Sequence, residues 1–183
     1  MARKLSIMDS GWLMMETRET PMHVGGLALF AIPEDAPSDY MESVYRFMVE
    51  VDGVCRPFSQ KIQSRLPGRL DAAWVEDKNF DIDYHVRHSA LPRPGRVREL
   101  LALVSRLHAQ RLDPSRPLWE SYLIEGLEGN RFALYTKMHH SMVDGMAGMH
   151  LMQSRMASSA DENLPAPWSG EWDKRKKPRQ KNV

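Results

Sequence analysis

An α/β fold, with a mixed, largely antiparallel sheet packed against helices, is what this sequence predicts, and three observations predict it. Residues 96–112 place Val97, Leu100, Leu101, Val104, Leu107 and Leu112 at helical spacing, with Arg96, Arg98, Arg106 and Gln110 between them. Residues 118–127 and 132–138 are two strand-like runs joined by a short Gly-containing loop, the pattern of an antiparallel hairpin. Residues 144–157 spread Met146, Ala147, Met149, Leu151, Met152 and Met156 around most of a helix circumference, which predicts a helix buried on all sides.

Taken in chain order, the opening residues 1–13 are interrupted by Ser6, Asp9, Ser10 and Gly11 and hold no apolar run of signal-peptide length. Residues 24–32, Val-Gly-Gly-Leu-Ala-Leu-Phe-Ala-Ile closed by Pro33, suit a strand with a buried face, and Gly25-Gly26 lets another group approach the backbone. Residues 39–51 carry Met41, Val44, Tyr45 and Met48 at helical spacing behind N-capping residue types. Residues 58–66 fit either a short strand or a helical turn. Residues 81–88 alternate as an extended segment, ended by Pro92, Pro94 and Gly95. The 96–112 helix stops at Asp113-Pro114-Ser115-Arg116-Pro117. In the second hairpin strand, Phe132, Leu134, Thr136 and Met138 face one way and Ala133, Tyr135 and Lys137 the other. From residue 158 periodicity vanishes, and Pro165, Pro167, Ser169 and Gly170 lead into the basic run Lys174 to Lys181. That stretch reads as an exposed linker or tail, either a solvated connector or a contact for anionic lipid or coenzyme phosphates.

Composition narrows the function classes. A chain of 183 residues with 42% hydrophobic and 27% charged residues is that of a folded globular protein of one main domain. Twenty-five Lys and Arg against 24 Asp and Glu leave a net charge of +1, so no global field draws in nucleic acid. Cys55 is the only cysteine, which excludes an internal disulfide and a multi-thiolate metal site, and suits a small, buried residue in a reducing compartment. No run approaches the roughly 18 apolar residues of a spanning helix, so membrane association is expected to be peripheral.

The chemistry concentrates where the last strand meets the Met-rich helix, at His139-His140-Ser141-Met142-Val143-Asp144-Gly145. Neighbouring strand residues point to opposite faces, so one histidine can look into a given pocket while the other does different work. An imidazole of ordinary pKa, about 6.5, is largely neutral at physiological pH and can take the proton of an alcohol and return it to a leaving group. Asp144 can fix the loop, and Gly145 removes a side chain where backbones come close. Spacing alone leaves two other readings open: a histidine pair merely satisfied at a helix start, and a metal site using His140, Asp144 and His150, although a catalytic zinc usually takes three ligands that an adjacent His pair cannot easily supply.

Read as one motif, these seven residues match the His-His-x-x-x-Asp-Gly signature of the coenzyme-A-dependent acyltransferase superfamily, which resembles chloramphenicol acetyltransferase in fold and includes peptide-synthetase condensation domains. Phe80 to His88, the Arg-Glu-Leu-Leu helix, Ser115-Arg116-Pro117-Leu118-Trp119-Glu120, the following Leu-Ile-Glu-Gly-Leu, and Leu5 through Gly26 are similar to bacterial wax ester synthase/diacylglycerol acyltransferases. The resemblance runs from about Leu5 to about Met156.

The resemblance implies that His140 is the general base, His139 a supporting residue, Asp144 a structural or orienting partner and Gly145 a determinant of loop geometry. It implies that Pro117, Leu118, Trp119 and Glu120 form a second motif that either meets substrate or builds a core strand. It further implies one half of a two-domain chloramphenicol-acetyltransferase-like enzyme, residues 1–157 forming an N-terminal half-domain and 158–183 the basic linker or tail, completed by a C-terminal half. The implied substrates are a fatty acyl-coenzyme A and a fatty alcohol or diacylglycerol. No permanent cofactor, metal or nucleic acid is expected, and the implied location is cytoplasmic, with peripheral contact at the inner membrane or lipid inclusions. The alternatives are a condensation domain with an amine acceptor, and a non-catalytic binding module of the same fold.

Overall fold

The computed structural model describes residues 3–64, 71–142 and 165–169. Among them are two sheets. Strands β1 (Arg3–Lys4), β4 (Ala73–Glu76) and β3 (Gln60–Gln63) form a small antiparallel sheet in the order β1-β4-β3. Strands β2 (His23–Ala31), β7 (Arg131–His139), β6 (Trp119–Leu127) and β5 (Val86–Ala90) form a larger one in the order β2-β7-β6-β5, antiparallel except for the β5–β6 pair. The mixed, largely antiparallel α/β architecture is therefore the one the sequence predicts.

Helix α1 (Ile7–Met15) begins at a reciprocal cap: the Asp9 N–H donates to the Ser6 hydroxyl, and the Ser6 N–H to the Asp9 carboxylate. It buries Leu13 and leaves Ile7, Met8, Met14 and Met15 exposed. Helix α2 (Tyr40–Val49) turns Met41, Val44, Tyr45 and Met48 inward as the spacing predicts, but Asp39 occupies the N-cap position without a side-chain hydrogen bond.

Residues 60–63 resolve the ambiguous region as a strand. Residues 81–88 are not one extended segment: the Asp81 carboxylate accepts from the Asp83 N–H and starts a single helical turn, α3 (Ile82–His85), before β5 begins. Residues 24–32 do form a strand, but an outer one with little burial. His23 is its only buried residue, and Leu29 and Phe30 are exposed.

Helix α4 (Val97–Ala109) is the crossover that the parallel β5–β6 pair requires. It packs on the larger sheet through Leu100, fully buried, with Leu103, Val104 and Leu107. Burying one such leucine contributes about 2 kcal/mol. Its entry loop presses on a bulge in β6: at Gly95, where φ is +70°, a Cβ would lie 1.8 Å from the Gly126 carbonyl oxygen, so only glycine fits.

The central strands of the larger sheet, β6 and β7, are buried on both faces. Trp119, Leu123, Phe132 and Met138 join Phe58, Trp74, Val86 and Trp168 in one core, while Tyr122, Ile124, Ala133 and Tyr135 meet α4 in another. The two-faced pattern predicted for β7 is thus observed. Trp168 contradicts the exposed reading of residues beyond 158: it is 1% exposed, stacks on Trp119 with centroids 5.0 Å apart, and donates its indole N–H to the Met48 carbonyl. Ala166 and Trp168 are accordingly part of the core packing. Cys55 beside them is half-buried rather than buried.

Candidate active site

The register of β7 delivers the two histidines to different surroundings. His139 is the last paired residue of the strand, opposite His23 of β2, and its N–H donates to the Leu118 carbonyl on the other side. His140 is one step further, its N–H donating to the Met22 carbonyl. The chain then turns, with the Met142 N–H donating to the His139 carbonyl. Alternation across the strand end seals His139 at 1% exposure and leaves His140 half-buried.

The His139 ring is fixed at its Nδ1 end. Its Nδ1 accepts from the Ser141 N–H at 3.0 Å, with the Ser141 hydroxyl 2.8 Å away, so the neutral ring carries its hydrogen on Nε2. That nitrogen lies 3.8 Å from the Glu16 carboxylate. Glu16 also receives Arg111 at 2.7 Å and the Met22 N–H at 3.2 Å. Burial pushes the Glu16 carboxyl up, but the hydrogen bonds from Arg111 and Met22 and the nearby His139 outweigh it and hold the group below its ordinary value. His140 is held differently: its imidazole stacks on Trp12, centroids 4.6 Å apart and planes 19° from parallel.

Behind the pair, the face beneath α4 is threaded with buried polar groups. Lys137, fully buried, faces Glu120 across the strands at 3.2 Å and donates to the Leu107 and Gln110 carbonyls at the end of α4, where a cation is favoured. Burial pushes the Lys137 amine down, against the pull of Glu120. The Tyr122 hydroxyl donates to Glu120 at 2.6 Å, and burial followed by that carboxylate pushes its phenol far up. His23 places Nε2 2.7 Å from the His108 carbonyl, and burial keeps its pKa below the ordinary value. His108 Nδ1 meets the Tyr135 hydroxyl at 2.7 Å. Of the two glycines in β2, Gly25 is the close approach: a Cβ there would sit 2.8 Å from the Tyr135 hydroxyl oxygen, whereas at Gly26 it meets nothing.

Of the predicted site residues, the structure brings His139 and His140 together at one strand end. Pro117 and Leu118 lie beside them, buried, and Leu118 supplies the carbonyl that accepts from His139. Trp119 is a core residue, 0% exposed, whose indole N–H donates to the Phe58 carbonyl. Glu120 pairs with Lys137 on the α4 side. Asp144, Gly145, His150 and the predicted 144–157 helix lie outside the described residues. Among the described residues no group of three His, Cys, Asp or Glu side chains is placed to hold a metal ion, and no helix is long and apolar enough to cross a membrane. Sequence reasoning missed Trp12 and Glu16, which lie far along the chain from His140, and Arg111, which meets the site through Glu16. It also passed over Lys137, a charge inside an apolar strand, which was a visible signal.

The profile of the wax ester synthase/diacylglycerol acyltransferase catalytic domain matches residues 5–182. The chain is 42% identical over 180 residues to O-acyltransferase WSD of Acinetobacter baylyi, an alignment covering 97% of this chain and 38% of that protein. It is 46% identical over 163 residues to a probable diacylglycerol O-acyltransferase of Mycobacterium tuberculosis, covering 88% and 36%. It superposes on the wax ester synthase/diacylglycerol acyltransferase of Marinobacter aquaeolei VT8 with a TM-score of 0.85 at 43% identity, over 91% of this chain and 40% of that one. A condensation domain of the calcium-dependent antibiotic synthetase shares the fold at 20% identity, with a TM-score of 0.61. The chain thus spans about two fifths of the length of the relatives it matches.

Proposed function

The chain belongs to the wax ester synthase/diacylglycerol acyltransferase family, and from that premise we propose that it carries the general base, His140, of an O-acyltransferase acting on a fatty acyl-coenzyme A and a fatty alcohol or diacylglycerol. The observation that carries the proposal is the contrast between the two rings: His139 is sealed and tied to Ser141 beside Glu16, while His140 stays half-buried with its backbone anchored to Met22 and its ring stacked on Trp12. One histidine is built as scaffold and the other as reagent.

In the proposed reaction the alcohol oxygen attacks the thioester carbonyl carbon as a His140 ring nitrogen takes the hydroxyl proton. The carbon–sulfur bond then breaks, sulfur leaves with the bonding pair, and His140 returns the proton to it. No resident cofactor is needed, because acyl-coenzyme A enters as substrate. In this reading His139 supports the loop, Asp144 orients it and Gly145 shapes it. Pro117, Leu118, Trp119 and Glu120 brace the strand that adjoins the pair, and the remaining part of the longer relatives supplies the other wall of the site. The enzyme works in the cytoplasm, at the surface of the inner membrane or lipid inclusions where its substrates collect.

The test is coenzyme A release from palmitoyl-coenzyme A with hexadecanol by the full-length protein. His140→Ala is expected to lower turnover on the order of 10²- to 10⁴-fold; unchanged release removes His140 from the reaction.

A further inference from the structure

We infer that Trp12 is a positioning residue of the reaction, whose indole face steadies the His140 imidazole and stabilises the positive charge that ring acquires while it holds the alcohol proton. The inference rests on the role proposed above for His140. Its observation is the stack, 4.6 Å between centroids and 19° between planes.

Nothing in the strand itself sets the plane of the His140 ring. The residue lies beyond the last paired position of β7, and among the described residues its ring nitrogens have no hydrogen-bond partner. Trp12, by contrast, is mounted on a helix fixed at both ends. Ser6 and Asp9 cap its start, Leu13 enters the core, and Glu16 at its far end binds Arg111 and the Met22 N–H. Met22 is also the residue whose carbonyl receives the His140 N–H. Indole and imidazole therefore share one frame.

The face of an indole is the negative side of its quadrupole and attracts a cation lying over it. His140 is neutral when it meets the alcohol and cationic from proton uptake until the proton passes to the departing sulfur. The attraction is therefore stronger in the transition state than in the ground state, and its loss falls on kcat rather than KM.

The full-length enzyme, with palmitoyl-coenzyme A and hexadecanol, provides the test. Trp12→Leu is expected to lower kcat roughly 3- to 30-fold with KM little changed, and Trp12→Phe to recover part of the loss. Tryptophan bearing one, two or three ring fluorines, installed at position 12 alone, keeps the shape and drains the ring face, so kcat should fall stepwise with fluorination. These isosteric rings keep the test decisive if the leucine variant folds poorly. A flat fluorination series, or a loss confined to KM, overturns the inference. His140→Ala in the same assay separates the two claims: if it abolishes turnover while the series stays flat, only the role of Trp12 fails, and if it leaves turnover intact, the functional reading fails first.

Discussion

On one face of the four-stranded sheet, Trp119, Leu123 and Met138 meet Trp168 and Phe58; on the other, the same strands send Glu120, Tyr122, Tyr135 and Lys137 beneath α4. Over β6 and β7 both faces are closed to water, one by apolar packing, the other by apolar packing against α4 together with matched charge and hydrogen bonds. The polar face is the one that continues into His139 and Glu16. A buried network costs desolvation that an apolar core avoids, and it holds groups in one geometry only while every member is present. The contrast teaches that the support of the site is electrostatic, whereas the support of the fold is volumetric.

The largest effect expected to sharpen this comparison comes from the same replacement on each face. Lys137 and Leu123 are both fully buried. Lys137→Met fills much the same space but takes the buried cation away from Glu120, and should cost about 3–5 kcal/mol in urea unfolding. Leu123→Met should cost under about 1.5 kcal/mol. Adding Glu120→Gln to Lys137→Met should recover much of the loss, and equal costs for the two single variants would erase the distinction between the faces.

A smaller effect should appear in alkali. Burial, then the Glu120 charge, pushes the Tyr135 phenol up to about 12. Because the folded value lies above the unfolded one of about 10, the contribution is complete below pH 10 and drains away as pH rises through 12, by roughly 2–3 kcal/mol at most. Stability of Tyr135→Phe, followed between pH 9 and 12, should decline less steeply than that of the parent.

Glu16 gives the smallest and opposite signal. Its folded value is depressed, so its contribution is complete above the ordinary carboxylate range and is lost as pH falls through the folded value. Glu16→Gln should flatten the acid limb of the stability curve; an unchanged limb would mean that the ties to Arg111, Met22 and His139 add nothing.

The parts of this architecture legible in sequence were those whose periodicity outlasts local accident. Thirteen residues of α4 and nine each of β6 and β7 repeat their pattern often enough to announce themselves. Strands β1, β3 and β4, of two to four residues, do not. Helix α1 carried a signal that was overlooked, Ser6 three residues before Asp9 at the head of an apolar run. The turn at Asp81 defeated an alternating pattern because one side-chain hydrogen bond outweighed it. Trp168 sits in a Pro-rich, polar stretch, and a lone aromatic has no period from which burial can be read. At the site, the histidine pair was legible, and the difference in burial between its two rings followed from strand alternation. The stack of Trp12 on His140 and the approach of Glu16 to His139 were not, because they join residues more than a hundred positions apart through tertiary packing alone.

Lys137 acts as a rivet between layers. Its amine grips two carbonyls at the end of α4, and its backbone lies one pleat repeat before His139. A helix end fastened there cannot slide along the sheet without dragging that strand, so a shift of the helix reaches the histidine pair within a single repeat. Alignment of the His140 ring is thereby yoked to the seating of an element that lies on the other side of the strand.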